Sequence, residues 1–156
     1  MANGNRITQL LPNSGCYSPA ISTAITLSTF APGKAIHLGL ATHMTPVCDC
    51  FGFTSMPILQ DAGIFGSDDI VALDRAALDA TAGQRLLEEN IPTCMEVHTR
   101  QGHPFRWLHG PLKDPYLVTE YGARLGLGSL EYELVDVLPV EKFDRAGMAY
   151  ISAGGA

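Results

Sequence analysis

Apolar positions recur along this chain in two rhythms. Residues 35–41 (AIHLGLA) are a short, almost uninterrupted apolar run behind Pro32-Gly33, which predicts a buried strand after a turn. Residues 130–137 (LEYELVDV) alternate, with Leu130, Tyr132 and Leu134 set against Glu131 and Glu133, and predict a strand with one wet face. Between them the period lengthens. At about 100° per residue, Ile70, Leu73, Ala77 and Leu78 share one helix face, and Arg75 and Asp79 lie opposite. Ser67 is the expected N-cap of that helix, with Asp68 and Asp69 in its first turn, and the pattern runs to about Gly83. Asp114-Pro115 marks another helix start, with Leu117, Val118, Tyr121 and Leu125 on one face and Gly126 or Gly128 as the stop.

The remaining chain is less periodic. Residues 1–19 are rich in Asn, Gly, Ser and Pro and read as an irregular lead-in. Residues 22–30 predict a short helix weakened by three threonines. Residues 42–58 hold two prolines, Cys48-Asp49-Cys50 and Gly52, and read as a loop, followed by a short apolar run at 61–65. Residues 90–113 read as an irregular, mobile stretch carrying Cys94, His98, His103 and His109. The organisation expected is an irregular arm with a short helix over 1–33, an α/β domain over 34–140, and a frayed tail over 141–156. Strands alternating with helices predict a single α/β domain built on a mainly parallel sheet with packed helices.

Composition adjusts this picture in a few places. The chain has 156 residues, which fits one domain. Its net charge of −6 and ten scattered Lys and Arg argue against nucleic acid, which needs a basic patch. A charged fraction of 17% beside 46% hydrophobic residues points to a face covered by a partner. The longest weakly polar stretch, residues 20–31, is too short to span a membrane, and no signal-peptide pattern opens the chain. Four cysteines at this length do not form a secreted disulfide framework, so the expected location is the cytoplasm.

Cys48-Asp49-Cys50 is the sharpest candidate for chemistry. Cysteines two apart cannot readily reach relaxed disulfide geometry, but they can present two thiolates to one metal or cluster edge. Zinc or an iron–sulfur cluster would need further ligands, from Cys94, Cys16, a histidine such as His43, or a second copy of the chain. The alternative is a pair of reduced, partly buried thiols. Asp74 lies amid the apolar helix face, where a carboxylate must be paired, hydrogen-bonded or protonated. It is expected to act as a structural acceptor, or else to orient a ligand or the cysteine loop. Asp61 precedes the 63–65 run and is expected beside the cysteine loop, as a turn-former or a supporting partner of the site. The five histidines show no metal-binding spacing, and Gly126-Leu127-Gly128-Ser129 follows a helix, so it does not read as a phosphate loop.

Several segments together resemble a known family. They are Thr45-Pro46-Val47-Cys48-Asp49-Cys50-Phe51-Gly52, Pro57-Ile58-Leu59-Gln60-Asp61-Ala62-Gly63-Ile64, residues 67–76 (SDDIVALDRA) and residues 121–134 (YGARLGLGSLEYEL). In this order they resemble the uncharacterised, iron–sulfur-associated family known as domain of unknown function 362, over roughly residues 33–140. The resemblance implies a redox setting and a metal or cluster near Cys48 and Cys50. Phe51 stands where the family usually has a third cysteine, and Ile70 where it usually has proline. The chain resembles the C-terminal part of longer members and carries no CxxCxxC run. The expected function is therefore a metal- or iron–sulfur-binding subunit of a redox complex, with Cys48, Cys50 and Cys94 as candidate metal ligands and Asp49, Asp61 and Asp74 in support. The alternative is a metal-free structural or interaction subunit. Both imply a homo-oligomer or a partner chain, and a thiolate nucleophile working with a loop histidine ranks third.

Overall fold

A computed structural model describes residues 14–48, 52–110 and 113–137. The elements run α1 (Ser14–Leu27), β1 (His37–Ala41), β2 (Gly63–Ser67), α2 (Ile70–Ala82), a 3-10 turn (Glu88–Asn90), α3 (Pro104–His109) and α4 (Tyr116–Arg124). The first part of the expected arm, residues 1–13, and the tail from 138 lie outside the described residues. Helix α1 begins earlier than the sequence pattern implied and tolerates Pro19 within it, although proline removes one helical hydrogen bond. Its contact with α4 and the burial of Ala20 offset that weakness.

The mainly parallel sheet expected from sequence does not form. The described sheet has two antiparallel strands in the order β1-β2, with His37 opposite Ser67 and Ala41 opposite Gly63. The cause lies in the connection. A parallel neighbour needs a long crossover, usually a helix. Here the described part of residues 42–62 contains no helix, and α2 comes only after β2, so the chain simply folds back beside β1. The strand expected at 130–137 is also absent as a strand. Residues 131–137 are exposed and join no ladder among the described residues.

Helix α2 organises one half of the molecule. Its N-cap is Asp69, not Ser67. Asp69 is extended (φ −111°, ψ 111°), and its Oδ1 accepts the N–H groups of Val71 and Ala72 at 2.9 Å each. Ser67 closes β2 instead, and its hydroxyl accepts the Asp69 N–H at 2.9 Å. The sheet meets α2 closely at Gly39, where a methyl group would stand 2.8 Å from Leu73 Cδ2. At the other end, Gly126 (φ +75°) stops α4. The Leu127 N–H reaches the Gly122 carbonyl and the Gly126 N–H reaches that of Ala123, a Schellman closure.

The second half is irregular but well packed. Ile58, Leu59, Leu86 and Leu108 are at most 3% exposed and form one cluster, flanked by Met44, Ile91, Met95, Val97, Phe105 and Trp107. The stretch expected to be mobile at 90–113 therefore supplies much of this core and includes α3.

Candidate functional site

The cysteine loop stands on that irregular core. The Ile58 N–H donates to the Met44 carbonyl, and the Leu87 N–H to the Ile58 carbonyl, each at 2.8 Å. The first bond closes the two ends of the loop on each other, and the second ties them to the 86–109 region. Thr45 Oγ1 donates to the Val47 carbonyl at 2.8 Å, tightening the turn before Cys48. His109, at the end of α3, places Nε2 2.8 Å from the Pro46 carbonyl. A carbonyl only accepts, so Nε2 carries a proton.

Cys48 and Cys94 are both exposed. Cys50 and Asp49 lie outside the described residues, and Cys16 lies in α1, away from the loop in sequence. Among the described residues, no group of three or more His, Cys, Asp or Glu side chains converges to hold a metal ion. Cys48 and Cys94 are thus not joined by a third such ligand among the described residues.

Asp61 does reach the loop. Its Oδ1 accepts the His43 N–H at 2.7 Å, and His43 is the sole non-glycine residue with positive φ among those described (φ 50°). A left-handed histidine costs free energy, and this charge-assisted bond offsets it, so Asp61 fixes the chain five residues before Cys48.

Asp74 turns elsewhere. It lines a cleft of about 80 Å³ between α1, α2 and α4, with Pro19, Thr23, Ile70, Val118 and Thr119 among its walls. The residue is exposed, and no hydrogen bond to it is formed among the described residues. Its inner side is covered enough that partial burial raises its carboxyl pKa, against the opposing pull of His37. The cysteine loop contributes nothing to this cleft.

The densest polar cluster was missed by the sequence reading. Asp79 accepts from Tyr116 Oη at 2.8 Å, Tyr132 Oη at 2.9 Å and Arg75 Nε at 3.1 Å. Burial alone would raise the Asp79 pKa, but these three donors outweigh it and bring the carboxyl below its ordinary value. Burial and the Asp79 bond push Tyr116 up to about 12, so its hydroxyl stays protonated and serves as a donor. The Arg75 guanidinium lies 4.4 Å from the Tyr116 ring centre. Behind them His103 is 2% exposed. Its Nδ1 accepts the Phe105 N–H as N-cap of α3, and Nε2 pairs with Thr81 Oγ1 at 3.0 Å. Burial lowers the His103 pKa and keeps it neutral. The cluster clamps α2, α4 and the 130–137 segment together. His103-Pro104 carried the same start signal as Asp114-Pro115, and that was the available clue.

The outer face of the sheet is open. Leu40 faces Ile64 across the pair and Leu38 sits diagonal to it, and they are 66%, 69% and 71% exposed. Ile36, Phe53 and Met56 are exposed as well. No helix of the described chain is long and apolar enough to cross a membrane.

No protein-family model matches this chain, nor does any curated protein or solved structure. The resemblance to the iron–sulfur-associated family rests on the quoted segments alone.

Proposed function

We propose that this chain is an assembly subunit whose outer sheet face is covered by a second copy of itself. The observation that carries this reading is the Leu38, Leu40 and Ile64 face, apolar and open on an otherwise ordered strand pair. A two-stranded sheet is marginal in water unless something covers it, and α2 covers one side only. The three side chains bear no charge, so the patch is complementary to its own copy about a two-fold axis, the commonest arrangement of soluble oligomers. Sedimentation of the wild type against Leu38→Lys/Ile64→Lys tests it. The wild type is expected to run heavier than its 16.7 kDa chain and the variant to run at that mass. Equal monomeric behaviour of both would end this reading.

A second reading keeps the cysteine loop as a soft-metal or iron–sulfur site within such an assembly. His109 favours it. An imidazole that gives one N–H to a carbonyl presents its other nitrogen as a ligand, the usual support of a metal-bound histidine. Cys48 and Cys50 would supply thiolates, and His109 Nδ1 a further ligand. Metal and sulfide analysis of protein purified without oxygen tests this, on wild type and Cys48→Ser/Cys50→Ser together. Stoichiometric iron with sulfide, or zinc alone, is expected in the wild type and lost in the variant. Metal-free wild type would rule it out.

A further inference from the structure

We infer that the gap between β2 and residues 132–137 is a docking groove for an extended basic peptide strand, bound by strand addition. This rests on the reading of the chain as an assembly subunit and specifies how a second kind of partner engages it. The groove holds about 740 Å³. One wall is residues 62–67, and the other is residues 132–137. Each wall is six residues long, or about 20 Å of extended chain, the length of an ordinary strand. β2 bonds to β1 along one edge, and no backbone hydrogen bond joins its other edge to the far wall among the described residues. Unpaired strand edges of this kind are templates for another chain.

The far wall is fixed in place by side chains, not by a ladder. Asp69 Oδ2 accepts the Ser129 N–H at 2.7 Å, and Asp79 Oδ2 accepts from Tyr132 at 2.9 Å. These two bonds hold the start of the segment, at Ser129 and Tyr132, against α2 and its cap. The floor is low, because it is paved by Ala72, Ala76 and Ala80 with Leu73. A strand lying there would face small apolar side chains below, and its main chain would meet the β2 edge.

Charge selects the occupant. Among the described residues, Glu133 lines the groove with Glu131 just before it, and no Lys or Arg lines it. An apolar floor under an acidic rim suits a strand with alternating apolar and basic side chains.

The probe is the acetylated, amidated hexapeptide Lys-Val-Lys-Val-Lys-Val, with hydrogen exchange read on the full chain. Slowed exchange confined to residues 62–67 and 132–137 is expected. An alternately N-methylated peptide, which cannot complete a ladder, is expected to leave exchange unchanged. Glu133→Lys, an exposed position outside every core, is expected to weaken binding about fivefold. Equal protection by the N-methylated peptide, or none by the parent, would overturn the inference. So would protection in peptide-free protein that grows with protein concentration, which would assign the groove to a second copy. Sedimentation of a Leu38→Lys/Leu40→Lys variant, whose two positions do not line the groove, reports separately on the open face, so failure of the groove and failure of the assembly reading are distinguishable.

Discussion

The two halves of this molecule invert the usual association of regularity with completeness. Around the cysteine loop the chain is irregular, yet Ile58, Leu59, Leu86 and Leu108 are sealed from water. In the sheet the backbone is regular, yet Leu38, Leu40 and Ile64 face solvent. Backbone order reports hydrogen bonding, and burial reports packing, and the two need not coincide. The sealed half finishes its folding within the chain. The sheet satisfies its backbone on one edge and leaves Leu38, Leu40 and Ile64 exposed.

The comparison breaks most visibly in the sealed half. Ile58→Ala is expected to cost about 2–5 kcal/mol in denaturant unfolding, because the loop above it and the 86–109 region both close on that side chain. A loss under about 1 kcal/mol would mean the cluster relaxes freely and is not a core. Asp69→Ala comes next, at about 0.5–2 kcal/mol, since it removes the cap of α2. It should also release residues 129–137, seen as faster hydrogen exchange there.

Acid tests the clamp between the halves. His103 is neutral and its folded pKa lies below the ordinary histidine value of 6.5. Below that value the unfolded chain takes up a proton that the folded chain refuses. Stability from this group is therefore complete above about pH 6.5 and falls as pH drops toward the folded pKa. His103→Gln is expected to flatten that part of the stability profile, measured as denaturation midpoint against pH. An unchanged profile would place the acid sensitivity elsewhere.

The smallest effect is expected on the open face. Leu40→Ala should alter the stability of the dilute, dissociated chain by less than about 0.5 kcal/mol. A loss above 1 kcal/mol under those conditions would show that the chain buries this face by itself, which removes the contrast.

The sequence pattern made parts of this structure legible. The run at 35–41 contains β1, the period over 70–83 contains α2, and Asp114-Pro115 marks the start of α4, where Asp114 Oδ1 accepts the Tyr116 N–H at 3.1 Å. Direction and pairing were not legible, because alternation between strands and helices does not say which element precedes which crossover. The face of α2 toward the sheet and groove was misread because Ala72, Ala76 and Ala80 carry a weak apolar signal beside Ile70 and Leu78. Asp74, expected amid the apolar face beside Ile70, lines a cleft together with that residue. The segment at 130–137 reads as a strand because its composition fits one; its anchors through Ser129 and Tyr132 depend on residues some sixty positions and fifty positions away. Asp61 was placed beside the cysteine loop by sequence order, and its bond to His43 was readable only in three dimensions.

Sedimentation velocity of the wild type beside Leu38→Lys/Ile64→Lys, across a range of concentrations, tests the central claim most directly. A wild type that grows heavier with concentration, beside a folded variant that stays at the mass of one chain, is the predicted result. A wild type that stays at that mass throughout, indistinguishable from the variant, would contradict it.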